Sequence, residues 1–341
     1  MFGGGVRGDS DRVVVAVTTT EQRRAGIGGS DIAAIVGLSP YKTSFDLWAE
    51  KTNQVSRPAP NKRMRMGKLL EQAIATGYIE LSGNPENLTV VWDDQTRAHP
   101  EHPWMLATPD AHVHAIQREL SGLYPFPICG LDCKNVALDQ AHRWGPAGTD
   151  EVPQEIVLQF QWYMEFENID RWDAAMLLGG NDLRIYTVPR DKEIGAFLVD
   201  QGERWWKRHI IEGVQPEIGA SEGARRFLRE RFPRNVKNLR QATAEEITLI
   251  RAYSWASKTL KIAEEDHETA GNMLKLAIGD ADGLTFDGGT ITWRKDKDSI
   301  GTDWYAVAWF LQEQDRARLA AAHQIVTRQG PRKLLLKENK Q

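Results

Sequence analysis

The chain has 341 residues, of which 41% are hydrophobic and 26% are charged, and this ordinary globular composition excludes a largely disordered chain. The length predicts roughly two domains. No apolar run approaches the roughly 18 residues of a membrane-spanning helix, and the first residues lack a basic and then apolar secretory pattern. We therefore expect a cytoplasmic protein that does not enter a membrane.

Charge and cysteine content restrict the function further. The 43 basic and 47 acidic residues give a net charge of −4, which excludes a polycation that coats nucleic acid, so a nucleic-acid role needs a local basic segment. Glu50 to Lys68 is such a segment, although a solvated linker and helix face would have the same composition. Cys129 and Cys133 would lie about 13 Å apart on one side of a strand, too far for a disulfide, and are predicted to be reduced thiols.

The N-terminal part of the chain is predicted to be mainly helical. Residues 1–20 are rich in glycine and are predicted to form a flexible arm. Ser30 or Asp31 is the expected N-cap of the next helix, and a second short helix is predicted over Ser44–Lys51. Apolar residues recur at helical spacing between Met64 and Ser82, which predicts a longer helix.

Short β-rich segments follow and alternate with helical ones. The segments bounded by proline, glycine or aspartate predict strands, and helical spacing returns in two longer stretches. This order predicts an α/β (α+β) fold with a central mixed sheet flanked by helices. The strands are predicted at Leu88–Asp93, Met105–Thr108, Ala111–Ile116, Ile128–Val136, Trp172–Leu178 and Arg184–Val188, and the helices at Pro153–Phe166 and Glu193–Ile211.

Composition changes after Pro233, and we place a domain boundary near residue 236. Between Leu249 and Leu274, apolar and small residues alternate at spacings of four and three, which is typical of a coiled coil or a helical hairpin. Asp287–Gly289 predicts the turn of a β-hairpin, and a last helix is predicted over Trp304–Val326. The predicted organisation is a flexible arm (1–20), a core domain (21–235) and a helical extension with a β-hairpin (236–341).

The clearest chemical signal lies in the middle of the chain. Asp132 and Lys134 are two positions apart in an apolar strand and therefore point to the same side. An acid and a lysine together are costly in a core and useful in an active site. Alone, this pair is most simply an edge-strand ion pair, but the order of the surrounding motifs favours a site. That order is a helix with Glu71, a strand with Pro109-Asp110, the strand with Asp132-x-Lys134, and a helix with Gln159 and Tyr163.

Phosphodiester hydrolysis would explain why such residues occur together. The reaction needs a hard cation, held by carboxylates, that neutralises charge on phosphoryl oxygens and lowers the pKa of an attacking water. Asp110 and Asp132 can hold one or two Mg²⁺ ions with the backbone carbonyl of Cys133, and Glu71 can add a ligand directly or through water. Lys134 would then contact the attacking water or stabilise developing charge.

Five motifs occur in an order that is more specific than any one of them. They are Arg24–Asp31 with Gly37–Tyr41, Met66–Glu71, Thr108–Asp110, Asp132-x-Lys134 and Gln159-x-x-x-Tyr163. Together they resemble the PD-(D/E)xK nuclease superfamily, and more narrowly the phage lambda exonuclease and YqaJ-type viral recombinase family. The resemblance covers residues 21–235 and implies a restriction-endonuclease-like fold. The extension at 236–341 is similar in layout to an appendage of some YqaJ-type proteins.

The resemblance implies a role for each residue of the middle motifs. Asp110 and Asp132 would ligate the metal, with Glu71 in support. Asp132 departs from close relatives, which usually carry glutamate at this position, and so has a carboxylate that is shorter by one methylene. Lys134 would act at the water, and Gln159 would orient the substrate or the nucleophile, with Tyr163 supporting it.

The resemblance also implies contacts with DNA. A 5′-phosphate would be bound by Ser30, Thr108 and Arg24, although Arg23 also fits because the spacing to Ser30 differs by one residue. Basic residues that precede Glu71 would hold further phosphates. These residues are Lys62, Arg63, Arg65 and Lys68.

The predicted function is a Mg²⁺-dependent exonuclease of phage recombination type, with Mn²⁺ as an alternative metal. It would degrade one strand of linear double-stranded DNA from the 5′ end and leave a 3′ overhang. Family analogy implies a ring-shaped homo-oligomer, a trimer, and a single-strand annealing protein as partner, in the bacterial host cytoplasm if a phage encodes the chain. A nucleotide cofactor is not expected, because Gly26–Gly29 lacks the Gly-Lys-Ser/Thr ending of a phosphate-binding loop. The alternatives are a restriction-like or repair endonuclease and a non-catalytic DNA-binding module on a nuclease scaffold.

Several of these residues also have a purely structural interpretation. Glu71 can be a solvated helix residue, and Gln159 and Tyr163 can line the core from one helix face. A zinc site is not expected at the two histidine pairs, because no cysteine or acid completes a recognisable set of ligands. The pairs are His99-x-x-His102 and His112-x-His114.

Overall fold

The structure is a computed structural model that describes residues 20–55, 59, 61–93, 95–117, 122–124, 126–235, 238–287 and 289–293. The chain divides into two compact units, Met1–Arg234 and Asn235–Gln341, and each is described by itself. The predicted flexible arm, apart from Thr20, and the predicted helix over Trp304–Val326 lie outside the described residues. Among those described, no helix is both long and apolar enough to cross a membrane.

A six-stranded mixed sheet forms the centre of the first unit. Five strands run in the order β1-β4-β6-β7-β8, and β5 pairs with β4 beside this path. Only β6 and β7 pair in parallel, while the other neighbours are antiparallel. The strands are β1 (Leu88–Trp92), β4 (Ala111–Gln117), β5 (Gly122–Leu123), β6 (Cys129–Val136), β7 (Arg171–Leu178) and β8 (Asp182–Pro189), and a separate two-stranded sheet pairs β2 (Arg97–Ala98) with β3 (Leu106–Ala107).

Helices precede, interrupt and follow the strands of the sheet. They are α1 (Thr20–Arg24), α2 (Gly29–Ile35), α3 (Ser44–Lys51), α4 (Lys62–Leu81), α5 (Gln154–Glu167), α6 (Lys192–Trp206) with a π-helical turn over Lys207–Ile211, and α7 (Glu222–Arg231), and a 3₁₀ helix covers Leu138–Arg143. The mixed sheet flanked by helices confirms the predicted fold class. The predicted helix over Glu193–Ile211 is correct in extent, but its last five residues change to π-helical geometry.

The alternation of side chains along β6 assigns each face of the sheet to different helices. Leu131 and Cys133 are buried with Ile74 and Tyr78 of α4 on one face. The intervening Asp132 points to the other face, as alternation in a strand requires, and contacts Trp172 there. The second face packs against α5 and the N-terminal helices in the larger core cluster, so the parallel β6–β7 pair lies between two layers of helices.

The start of α2 differs from the prediction. The helix begins at Gly29, with Gly28 as N-cap in an extended conformation. Asp31 is the third residue of the helix, and its side chain accepts a hydrogen bond from the Gly28 N–H group at 3.1 Å. The predicted cap at Ser30 or Asp31 is therefore wrong, because the acid that was taken for the cap is the reciprocal partner in a capping box.

The second unit contains one long helix and a β-hairpin. The helix α8 (Ala244–Ile278) is continuous over 35 residues, with Thr243 as N-cap, so the helical-hairpin alternative is wrong for this stretch. Gly279 ends the helix with a positive φ of 57°. The hairpin pairs β9 (Gly283–Phe286) with β10 (Gly289–Thr292), at the position predicted from its turn. These elements confirm an additional helix and hairpin toward the C-terminus.

Candidate active site

Asp132 is the most enclosed charged residue of the predicted set. It lies in the middle of β6 with 2% of its surface exposed. Its Oδ2 atom accepts a hydrogen bond from the Lys134 Nζ ammonium at 2.6 Å and from the Gln159 amide at 3.3 Å. Its Oδ1 atom accepts one from the Trp172 indole N–H group at 3.3 Å. The structure thus brings Asp132, Lys134 and Gln159 together, as the order of motifs predicted.

Asp110 reaches the same place from the neighbouring strand. It precedes β4, and its Oδ2 atom accepts a hydrogen bond from the Cys133 backbone N–H group at 3.2 Å. The N–H and C=O groups of a strand residue point to the same neighbouring strand. The Cys133 carbonyl is therefore directed toward the side of β6 on which Asp110 lies, as predicted for a backbone ligand.

The electrostatics of these carboxylates favour a cation. Burial, and then the negative charges of Asp132 and Glu71, raise the pKa of Asp110 to about 7, although Lys134 and the Cys133 N–H group act against this rise. Burial lowers the pKa of Lys134, but the two aspartates outweigh it and hold that pKa above its ordinary value. The Lys134 ammonium thus faces two aspartates, and the charge of Glu71 also acts on Asp110. A hard divalent cation with oxygen ligands fits this donor set.

Glu71 contributes to the site from α4, on the opposite layer. Its side chain is 15% exposed and forms an ion pair with Lys68, with 2.8 Å between Lys68 Nζ and Glu71 Oε2. It is therefore not a fully solvated carboxylate. The basic residues Lys62, Arg63 and Arg65 lie on the first turns of the same helix and are exposed.

Gln159 and Tyr163 form a connected pair on α5. The Gln159 amide donates to the Tyr163 hydroxyl at 3.2 Å, and that hydroxyl donates to the Thr108 carbonyl at 3.1 Å. The pair also packs against the start of α2, where a Cβ atom on Gly29 would lie 2.6 Å from Tyr163 Cε1. The contacts of this pair thus join Asp132, the strand that precedes Asp110, and α2.

A cleft of about 220 Å³ extends from these residues toward the N-terminal helices. It brings Asp110, Gln159 and Tyr163 together with the three residues that were predicted to bind a 5′-phosphate. The lining includes Arg23, Arg24, Ser30, Asp31, Lys42, Lys51, Thr108, Asp110, Gln159 and Tyr163. The cleft is therefore continuous from Asp110 to a wall that carries four basic side chains, Arg23, Arg24, Lys42 and Lys51.

Two lysines in this wall meet at one acid, Asp31, and sequence analysis had placed only Lys51 in a candidate basic segment. Lys42 and Lys51 contact opposite oxygens of Asp31 at 2.6 and 2.7 Å. Burial raises the pKa of Asp31, but the two ammonium groups outweigh it and hold that pKa well below its ordinary range. No local pattern links residues 11 and 20 positions apart, so only the fold reveals this group.

A second polar cluster lies at the far end of α5. Ligand atoms of Asp93, His112 and Glu167 lie within 4.8 Å of one another, a set of residue types that can hold a metal ion. His112 Nε2 is 2.5 Å from Glu167 Oε2, and Arg97 forms ion pairs with both acids. The expectation that no acid accompanies His112 is therefore wrong, because both acids come from other elements. A metal ion at this cluster would compete with the Arg97 guanidinium.

The fold and the site define a mixed α/β protein with carboxylates and a lysine gathered at one end of a charged cleft. Residues 20–168 match the model of the YqaJ-like viral recombinase domain, in agreement with the resemblance of the motifs. The uncharacterized protein YqaJ of Bacillus subtilis (strain 168) is 26% identical over 265 residues, which cover 76% of this chain and 77% of that protein.

Similar solved structures were also found. An alkaline exonuclease, LHK-Exo from Laribacter hongkongensis, has a TM-score of 0.42 at 15% identity, over 57% of this chain and 94% of that one. A phage-related exonuclease from Haemophilus somnus 129PT has a TM-score of 0.38 at 18% identity, over 55% of this chain and 96% of that one.

Proposed function

We propose that the protein is a divalent-cation-dependent deoxyribonuclease of phage recombination type. The observation that carries this proposal is the convergence of Asp110 and Asp132, from neighbouring strands, on the Cys133 N–H group and the Lys134 ammonium, with the Glu71 carboxylate close enough to raise the pKa of Asp110. The cleft that leads from Asp110 to a basic wall supports a phosphate-bearing polymer as substrate. The match of residues 20–168 to the YqaJ-like viral recombinase domain supports a role in phage-type recombination.

The proposed metal is Mg²⁺, with Mn²⁺ as the alternative. Asp110, Asp132 and the Cys133 carbonyl would hold it, and Glu71 would contribute directly or through water. When bound, such an ion neutralises charge on the phosphoryl oxygens and lowers the pKa of an attacking water.

The protein's own groups would position the reaction. Lys134, which stays protonated at neutral pH because of its neighbours, would hold the attacking water or stabilise the charge that develops on the phosphoryl group. Gln159 contacts Asp132 and Tyr163 and would orient the nucleophile or the substrate from α5. Hydrogen bonds to neighbouring side chains thus hold both residues in place.

The basic wall of the cleft would receive the 5′ end of the DNA. Arg24, Ser30 and Thr108 line it and would bind a 5′-phosphate, while the exposed basic residues of α4 would contact the backbone of the duplex. In this arrangement the enzyme degrades one strand of linear duplex from its 5′ end and leaves a 3′ overhang. A ring-shaped homotrimer and a single-strand annealing partner remain part of this proposal by family analogy.

The test is degradation of linear duplexes that carry a 5′-phosphate or a 5′-hydroxyl group, with a separate label on each strand and a closed circular duplex beside them. With Mg²⁺, we expect loss of the 5′-terminated strand, faster from the phosphorylated end, and intact circles. Rapid cutting of circles would instead assign an endonuclease. No cleavage by folded protein that still binds DNA would assign the non-catalytic module.

A lysine variant separates catalysis from binding. Lys134→Ala should lower turnover at least about 100-fold, as removal of one charge-stabilising donor does, and leave DNA affinity nearly unchanged. Lys192→Ala, at an exposed lysine that begins α6, is the matched control and should retain full activity. Unchanged turnover in Lys134→Ala would remove this residue from the mechanism.

A further inference from the structure

The helix α8 exposes large apolar side chains along its length. Leu249 is 69% exposed, Tyr253 42%, Leu260 61% and Leu274 39%. An exposed apolar surface that follows one helix for many turns is typical of a protein–protein interface. The helix is capped at its N-terminus by Thr243 and Glu246, so its residues keep one regular geometry.

These side chains belong to a single regular line, which we call the α8 seam. Its members are Leu249, Tyr253, Ala256, Leu260, Ala263, His267, Ala270 and Leu274. They alternate at spacings of four and three, which keeps them on one face of a helix that coils around another. At about 1.5 Å per residue the α8 seam is about 38 Å long, so it can cover a helix of similar length.

The α8 seam is complementary to itself when two copies run antiparallel. With a two-fold axis between residues 261 and 262, Leu260 meets Ala263, Tyr253 meets Ala270, and His267 meets Ala256 of the partner. Tyr253, Leu260 and His267 thus each pack on an alanine of the partner, and the pairing of a large with a small side chain fills space evenly. Leu249 and Leu274 meet at the two ends.

A parallel pair of the same helices would pack poorly. Ala256, Ala263 and Ala270 would each face their own copy and leave voids, while Tyr253 and His267 would each face their own copy and crowd. The alternation of large and small side chains along the α8 seam therefore favours the antiparallel orientation. It also favours a second copy of the chain over an unrelated helix, because both halves of the match lie in one sequence.

The charges beside the α8 seam agree with the antiparallel pairing. In the same register Glu264 would face Ser257, and Asp266 would face Thr259. No pair of like charges is opposed among these flanking positions. Repulsion that would otherwise disfavour self-association is therefore absent at the edges of this seam.

We propose that α8 binds α8 of a second copy of this chain in an antiparallel, two-fold coiled coil through the α8 seam. This contact does not depend on the proposed nuclease function, and it joins two copies whatever contacts the first unit makes. The contact accounts for the exposure of Leu260 and the other apolar members of the α8 seam, because these side chains become buried in the pair.

Two variants of the full chain, each with one added cysteine, test the contact and its direction. Tyr253→Cys and Ala270→Cys are prepared separately, and a short bismaleimide is added to each alone and to their mixture. Because Tyr253 faces Ala270 only in the antiparallel pair, cross-linked dimer should form in the mixture and not in either variant alone. Cys129 and Cys133 are buried and should not react.

A parallel pair would instead cross-link each variant with itself, which would overturn the orientation. Absence of any cross-linked dimer would overturn the contact, and the α8 seam would then face another part of the chain or a different partner. A mass measurement by light scattering on the uncross-linked protein gives an independent answer. The wild type should have an even multiple of the 38.5 kDa chain mass.

Leu260→Glu should halve the measured mass, because it places two buried carboxylates next to the two-fold axis. Ile262→Glu is the matched control, since Ile262 is 59% exposed on the same helix and lies off the α8 seam, and it should keep the wild-type mass. Circular dichroism should show equal helix content in both variants. A wild-type monomer, or equal loss of mass in both variants, would refute the proposed interface.

Discussion

Replacement of Asp31 by asparagine tests the charge balance of the cleft wall. The Asp31 carboxylate, 8% exposed, is the shared partner of Lys42 and Lys51. The asparagine side chain would have nearly the same size but would remove the carboxylate beside the nearly buried Lys51 ammonium, while Lys42 would keep its ion pair with Glu50 at 3.6 Å. Removing one partner of a buried pair costs about 3–5 kcal/mol. Since Lys42 is 22% exposed at its side chain and can turn to solvent, we expect about 2–4 kcal/mol.

The pH dependence of this cost identifies its origin. The pKa of Asp31 in the folded chain is well below its ordinary value, so its contribution to stability is complete above roughly pH 4 and decreases as the pH falls further. The difference in free energy of unfolding between wild type and Asp31→Asn should therefore be largest near pH 7 and shrink below about pH 4.

Urea unfolding followed by tryptophan fluorescence at pH 7 and at pH 3.5 measures this difference. Asn61 caps α4 by accepting a hydrogen bond from the Met64 N–H group and offers a control, because Asn61→Ala removes a neutral cap worth about 1 kcal/mol with no dependence on pH. A loss below about 0.5 kcal/mol in Asp31→Asn at pH 7, or a loss that is equal at both pH values, would refute the ionic explanation.

Three further perturbations test other parts of the account. Burial and neighbouring acids raise the pKa of Asp110 to about 7, so Mg²⁺ must displace a proton from this residue at low pH. Calorimetry without DNA should therefore show that Mg²⁺ binds about tenfold more tightly at pH 8 than at pH 6. Equal affinities at the two pH values would contradict this expectation. Gly29→Ala places a Cβ atom 2.6 Å from Tyr163 and should cost about 1–3 kcal/mol in thermal unfolding, whereas Gly219→Ala, with open space around it, should cost much less. Tyr78→Phe removes the hydrogen bond to the fully buried Asp173 carboxylate at 2.6 Å and should cost about 1–3 kcal/mol; a neutral result would show that Arg171 alone satisfies this acid.

Local sequence patterns were sufficient for the long elements and for the pairing of Asp132 with Lys134. The alternation of side chains in a strand places these two on one side whatever the rest of the fold does. The long helix α8 and the turn of the hairpin also follow from local spacing. Two-residue strands such as Arg97–Ala98 have no comparable local signal and were missed. The helix α7 was also missed, although Ser221 is a favourable N-cap and Ala224 and Phe227 lie on one face of it.

Contacts between distant segments required the fold. The hydrogen bond from the Cys133 N–H group to Asp110 depends on how β4 and β6 are paired. The group around Asp31 likewise joins residues from a helix and a loop, and Glu167 reaches His112 only because α5 crosses the sheet. Sequence spacing predicts which side of an element a residue occupies, but tertiary packing decides which sides meet.

We propose that Asp110, Asp132 and Glu71 hold a divalent cation with which the protein hydrolyses DNA. The most direct test of this proposal is release of nucleotides from linear 5′-phosphorylated duplex by the full-length protein and by Asp132→Asn, each with Mg²⁺ and with EDTA. We expect release by the wild type with Mg²⁺ only, and none by a folded Asp132→Asn variant. Equal release by both proteins, or release that continues in EDTA, would contradict the proposal.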